Sequence, residues 1–150
     1  MTPSITYRYV VAALVAAATF LVSTSHANVA QERRILGHWL TQSKDGVIQI
    51  YLAESGRYEG RIVDGQGGPE RRDAKNPDPA LRARLLKDKV ILHGFRYAGD
   101  GRWTDGTIYD PNNGKTYKCH MELTKSDTLN MRGYVGVPLF SRTEVWTRQK

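Results

Sequence analysis

Lys115-Thr116-Tyr117-Lys118-Cys119-His120-Met121-Glu122-Leu123 is the stretch that decides the fold. Tyr117, Cys119, Met121 and Leu123 fall on one side of a two-residue repeat, and Lys118, His120 and Glu122 on the other. That period belongs to a strand, because successive side chains of an extended chain point to opposite faces. One face is therefore built for burial and the other for water. Pro111-Asn112-Asn113-Gly114 precedes the run and reads as a type I′ hairpin, since Asn-Gly tolerates positive φ. Lys125-Ser126-Asp127 follows it as a second turn, and Thr128 to Tyr134 alternates again with Leu129 and Met131 inward.

The same pattern repeats on both sides. Upstream, strands are expected at Trp39–Gln42, Val47–Leu52, Tyr58–Asp64, Val90–Tyr97 and Arg102–Tyr109. Asp45-Gly46, Ser55-Gly56 and Asp100-Gly101 supply turns, and Gly94 a bend or bulge. Downstream, Val135 to Pro138 connects to a last strand, Phe140–Arg148. These segments predict an all-β fold of about eight antiparallel strands in up-and-down order. Eight such strands close into a barrel just wide enough for packed side chains or one small ligand. A sandwich is the alternative, but its crossing connections are longer than most seen here.

One segment breaks the rhythm. Gly65 to Lys89 is rich in Gly, Pro and charge. Inside it, Asp78-Pro79-Ala80-Leu81-Arg82 predicts one short helix, with Asp78 as N-cap and Pro79 at the first helical position. A long loop on a small barrel is suited to act as a lid or binding loop.

The N-terminus reads as an export signal. Arg8 precedes an apolar run, Val10–Val22, and Ser25-His26-Ala27 has the small-x-small form of a cleavage site. The run is shorter than the roughly 20 residues a spanning helix needs. The expectation is a signal peptide over 1–27, a single domain over 28–150, and a periplasmic or secreted bacterial protein. No later stretch suits stable membrane insertion.

The chain carries a formal net charge of +7. Its basic residues are scattered among acids rather than striped with aromatics, which argues against a nucleic-acid partner. Cys119 is the one cysteine, so no internal disulfide forms, and its place on an apolar face predicts an inert thiol. His38, His93 and His120 show no metal-ligand spacing. No nucleophile motif is present, and Cys119 and His120 point to opposite faces as strand neighbours. These readings predict no enzyme activity, cofactor or metal. Asp73, Asp78, Asp105 and Glu144 could pair as acid and base only if the fold fixed their distances.

Several ordered motifs resemble a known family. They are Gly37-His38-Trp39-Leu40, Tyr58-Glu59-Gly60-Arg61-Ile62-Val63, Lys75-Asn76-Pro77-Asp78-Pro79-Ala80-Leu81-Arg82, Gly101-Arg102-Trp103, Ile108 to Tyr117, Leu129 to Tyr134, and Phe140 to Arg148. Together they look like domain of unknown function family 2147, small exported bacterial proteins, over about residues 35–148. The resemblance implies a lipocalin-like barrel and no established reaction. It departs from the family at Tyr51–Gly60, where many relatives carry a cysteine pair, and at Leu85-Leu86-Lys87-Asp88-Lys89, which is more charged here. The Gly-x-Trp start also resembles the lipocalin signature, which implies that Arg148 packs over Trp39 beside Gly37 to seal one end.

The functional expectation is a monomeric barrel that binds a small, partly apolar molecule. Trp103, Tyr109, Tyr117 and Tyr134 would line an open centre. Arg142 and Glu144 share parity with Trp146; inward they would orient a polar ligand, outward they would be surface residues. Asn76 and Asp78, in the long loop, are further candidates, although capping and turn roles suit them equally. The alternative is a filled barrel that engages an envelope protein or polymer through its outer surface or the 65–89 loop.

Overall fold

In a computed structural model the described residues are 29–134 and 141–150. The expected signal peptide and the Val135–Pro138 connector lie outside them. Residues 29–33 are helical and belong to a separate unit, Met1–Arg34, while Ile35–Lys150 forms the second unit.

Eight strands make up that second unit: β1 (Gly37–Leu40), β2 (Gly46–Leu52), β3 (Tyr58–Gly65), β4 (Val90–Gly99), β5 (Arg102–Asp110), β6 (Lys115–Lys125), β7 (Thr128–Tyr134) and β8 (Ser141–Gln149). Each pairs antiparallel with its sequence neighbour, and β1 pairs with β8, so the sheet is a closed up-and-down barrel. The helix expected after Asp78 is a single 3₁₀ turn, Pro79–Leu81, in the β3–β4 loop. Asp78 caps it as expected, its carboxylate accepting from the Ala80 N–H at 2.9 Å.

Bulges let the strands coil into a small cylinder. Between Tyr58↔Phe95 and Gly60↔Leu92, β4 spends one residue more than β3, and Gly94 lies there at φ +77°. A second extra residue falls in β5 between Trp103↔Met121 and Gly106↔Cys119, where Asp105 adopts φ +64°. Gly106 faces the Phe95 ring so closely that a Cβ would overlap it.

Two hairpins exchange the expected turn chemistry. The type I′ turn sits at Asp100-Gly101, with φ +51° and +71°, not at Asn113-Gly114. In the β5–β6 loop only Gly114 is left-handed, and Asp110 explains why. Its carboxylate accepts from the Asn112 N–H and from Asn113 Nδ2, which holds the loop in a wider four-residue form. The Gly114 N–H closes that form on the Asp110 carbonyl at 2.8 Å.

The two ends of the barrel differ. At one end lie the start of β1, the end of β8, and the β2–β3, β4–β5 and β6–β7 turns. Trp39, Tyr58, Phe95, Trp103 and Leu129 are buried here. The Arg148 guanidinium lies 4.2 Å from the centre of the Trp39 ring. It also donates to the Leu36 carbonyl at 2.9 Å and to the Ser126 carbonyl at 2.8 Å. Trp39 in turn donates its indole N–H to the Ile35 carbonyl at 2.8 Å. Gly37, at φ +127°, fits because a Cβ there would meet an Arg148 Nη1 at 2.9 Å. A guanidinium over an indole at a partly exposed site such as this is worth roughly 0.5–2 kcal/mol. Here it also ties β1, β8 and the β6–β7 turn together.

Trp39→Ala is expected to cost about 3–5 kcal/mol in urea denaturation, and Arg148→Ala about 2–3 kcal/mol through its charged hydrogen bonds. The double variant should lose less than the two together, because each removes the same stack. Additive losses would mean that the two residues act separately.

Candidate functional site

The opposite end carries the β1–β2, β3–β4 and β5–β6 loops, and the barrel is hollow there. A cavity of about 580 Å³ opens between the strands. Its floor and walls are Ile48, Ile62, Ile91, Ile108, Met131 and Trp146, delivered by the inward positions of successive strands. Its mouth is polar, with Thr41, Ser43, Asp45, Arg71, Asn112, Tyr117 and Arg142. The gradient from apolar floor to polar rim follows the barrel axis.

Arg142, Glu144 and Trp146 all line this cavity, so their shared parity faces inward. Trp146 is buried at the bottom, Glu144 is partly exposed above it, and the Arg142 side chain is 81 % exposed at the rim. Arg142 Nη2 lies 3.3 Å from Glu144 Oε1, and the Trp146 indole N–H donates to Glu144 Oε2 at 3.3 Å.

Tyr109 and Tyr117 line the cavity as expected. Tyr134 reaches it only from the rim: the parity of Leu129 and Met131 puts Tyr134 on the outer face, with its ring 6.2 Å from that of His120. Trp103 is a correction. It is fully buried at the closed end, against Tyr97 and Tyr58, and takes no part in the cavity wall. Asn76 and Asp78 are corrections too. Neither borders the cavity; Asn76 Oδ1 accepts from the Asp78 N–H at 2.9 Å, and both shape the loop.

What fixes that loop to the barrel is Asp73, whose side chain is wholly buried. Its carboxylate accepts from the Tyr109 hydroxyl at 2.6 Å and from Asn76 Nδ2 at 2.7 Å, and faces Lys89 Nζ at 3.2 Å. Burial alone would raise its pKa; the three donors outweigh burial and hold it below the ordinary carboxylate value. Burial, with the same contact adding to it, pushes the Tyr109 phenol up to about 12, so it remains a donor. A buried carboxylate that keeps its donors holds its loop in one place, since removing Lys89 would leave its charge unpaired and removing a neutral donor would leave an oxygen short of a hydrogen bond.

A second clasp crosses the mouth. Arg71 donates to Asn112 Oδ1 at 2.6 Å and to the Asp45 carbonyl at 3.3 Å, while Asn112 Nδ2 donates to Asp45 Oδ2 at 2.8 Å. Thr41 and Ser43 hydroxyls saturate Asp45 Oδ1. Burial opposes ionisation of Asp45, and these bonds with the Arg71 charge overcome it and lower its pKa. Three loops far apart in sequence thus meet at the rim, and only the fold brings them together. The inward isoleucines could have been found from strand parity; Asp73, Arg71 and Asn112 as a fastening could not.

Cys119 is buried in the cavity wall, its thiol pushed up to about 12, mainly by desolvation. Asp105 pairs with Arg96 on the outer surface while Glu144 lines the cavity, so these two do not meet, and the Asp73 carboxylate is engaged by Tyr109, Asn76 and Lys89. Among the described residues no group of three or more His, Cys, Asp or Glu could hold a metal ion.

Comparison with known proteins agrees with this geometry. The sequence profile of an uncharacterized protein conserved in bacteria, DUF2147, matches residues 37–148. The chain belongs to this DUF2147 family. The barrel is also similar to protein HP1028 from the human pathogen Helicobacter pylori, described as belonging to the lipocalin family. That match has a TM-score of 0.69 and 22% sequence identity, and covers 77% of this chain and 83% of the other. At this identity the likeness shows the fold, a lipocalin-like barrel. A search of curated proteins found no match.

Three outcomes follow from the buried groups. Asp73→Ala is expected to cost about 3–5 kcal/mol, because it strands Lys89 and Tyr109. The pH sign is set by the depressed pKa. Asp73 contributes its full stability above about pH 4, the unfolded value, and loses it as pH falls through its lower folded value. Urea midpoints measured from pH 6 downward should therefore drop in the parent and drop less in Asp73→Asn. Separately, Cys119 in the folded protein should resist thiol alkylation at pH 7 and react only on unfolding, read by mass spectrometry.

Proposed function

We propose that this DUF2147 barrel is an exported binding protein that takes one small, partly apolar molecule into its open half and catalyses no reaction. The observation that carries this reading is the cavity itself: about 580 Å³, apolar at the floor and polar at the rim. Ligand sites of small molecules have this size and this distribution of a few polar groups over apolar walls. A barrel built only as an outer interaction surface would gain stability by filling that volume with side chains. The expected signal peptide would deliver the protein to the periplasm or exterior, where it acts as a monomer.

The chemistry on the wall suits holding rather than transforming. Trp146 donates to Glu144, Tyr109 to Asp73, and Cys119 is a protonated thiol. Asp73 is held below the ordinary carboxylate value and the Tyr109 phenol and Cys119 thiol are pushed up to about 12, so none of these three is poised near neutrality as a nucleophile or base.

The test is a titration with N-phenyl-1-naphthylamine, an uncharged apolar fluorophore. Saturable enhancement with quenching of tryptophan emission is expected, at one site per chain. Ile108→Trp, which fills the cavity from its half-buried wall, should weaken binding at least tenfold while the fold, followed by circular dichroism, persists. Probe binding that ignores Ile108→Trp would place the site elsewhere and overturn the proposal.

A further inference from the structure

The positive charge is not spread evenly along the chain. The β3–β4 loop, residues 66–89, carries seven Lys and Arg against four Asp and Glu, so it holds +3 of the chain's +7 in 24 of its 150 residues. Part of that charge is already engaged. Lys89 is paired with the buried Asp73, and Arg71 reaches into the clasp at the mouth. Arg72, Lys75, Arg82, Arg84 and Lys87 remain, and all five are exposed. Three acids of the loop are exposed as well, Glu70, Asp78 and Asp88, and none of them falls between Arg82 and Lys87.

A short ribbon sets where these cations stand. Arg72 and Leu85 are antiparallel bridge partners. The Asp73 N–H donates to the Arg84 carbonyl at 2.9 Å, and the Leu86 N–H to the Arg71 carbonyl at 2.8 Å. Arg72 and Leu85 are therefore the pair between two backbone bonds, the kind whose side chains lie closest together on one side. Asp73 and Leu86 take the other side and are buried. The outward side is open: Leu85 is 38 % exposed and the Arg72 side chain 54 %. Glu70 lies 3.9 Å from Arg72. Among the described residues no carboxylate is within ion-pair distance of Arg82, Arg84 or Lys87.

A leucine set among cations distinguishes one partner from another. A soluble polyanion would engage the cations and leave Leu85 in water. A membrane surface takes both, because lipid phosphates meet the cations while an apolar side chain settles at the boundary with the acyl chains. We propose that the Arg72–Leu85 face of the β3–β4 loop, with Arg82, Arg84 and Lys87 around it, docks the barrel reversibly on a bilayer that carries anionic phospholipid. One leucine is a shallow anchor, so charge supplies most of the attraction and salt weakens it. Asp73 fastens the ribbon to the barrel through Tyr109. Docking therefore orients the barrel against the membrane. It does not depend on what the cavity holds.

The experiment is co-sedimentation of the chain without its expected signal peptide, residues 28–150, with vesicles of phosphatidylcholine alone or mixed with phosphatidylglycerol. Binding is expected to the mixed vesicles only, and it should fade as salt rises. The double variant Arg84→Gln/Lys87→Gln should lose roughly 25-fold in affinity, about fivefold for each charge. Lys118→Gln/Lys125→Gln removes the same charge from exposed positions of β6. It should lose no more than about twofold, since those positions stand off a bilayer met by the loop and are screened from it. Leu85→Ser should weaken vesicle binding a few fold and leave retention on a polyphosphate column unchanged. Equal binding to the two kinds of vesicle would overturn the proposal by removing the role of lipid charge. Equal losses from the two double variants would overturn it by making net charge responsible in place of this face. A Leu85→Ser variant that binds vesicles as the parent does would overturn it in favour of a soluble polyanion. Binding to neither vesicle would overturn it outright and leave the cavity reading intact.

Discussion

The rest of the barrel depends on one junction, where β1 meets β8. A sheet of eight strands has two unpaired edges unless its ends join, and exposed edges invite association with other chains. β1 is only four residues long, so backbone pairing there is limited to a few rungs. Trp39 and Arg148 compensate. The guanidinium covers the indole from outside and fastens to the Leu36 and Ser126 carbonyls, linking the strand that starts the barrel, the strand that ends it and the turn between β6 and β7. Because this seal occupies one end with packed aromatic side chains, the hollow space is confined to the other.

The open end is held by polar contacts instead of packing. Asp73 fixes the long β3–β4 loop through Tyr109, Asn76 and Lys89, and Arg71 clasps Asp45 and Asn112 at the rim. Such contacts bring little apolar surface into the mouth. They keep three loops in register while leaving the interior between Ile48, Ile91 and Met131 unfilled. Tyr109 couples the two layers, since its ring lines the cavity while its hydroxyl anchors Asp73.

The strands were legible in the sequence because their period is local. Cys119, Met121, Leu129 and Met131 take the inward positions that alternation assigns them, and Gly94 makes the bulge its isolation in a strand suggested. Parity failed in β8, where Val145 is exposed and Arg142 points inward. A strand that passes an open mouth places a polar residue on its inner face there, which erases the alternation. Height along the barrel was equally hidden. Trp103 and Tyr109 lie on the same strand, yet one closes the core and the other lines the cavity. The Asp73–Tyr109 bond spans 36 residues and the Asp45–Asn112 bond 67, so no local pattern announces either. Asn113-Gly114 was misread because the deciding group was the Asp110 side chain, not the Asn-Gly pair.

The central claim is a barrel shut at one end and hollow at the other. Xenon enters dry apolar cavities and leaves packed cores alone, so a crystal of the protein pressurised with xenon tests the claim most directly. The account predicts anomalous peaks among Ile48, Ile62, Ile91, Met131 and Trp146, and none around Trp39, Phe95 and Trp103. Xenon among the closed-end aromatics, or no xenon in the open half, would contradict it.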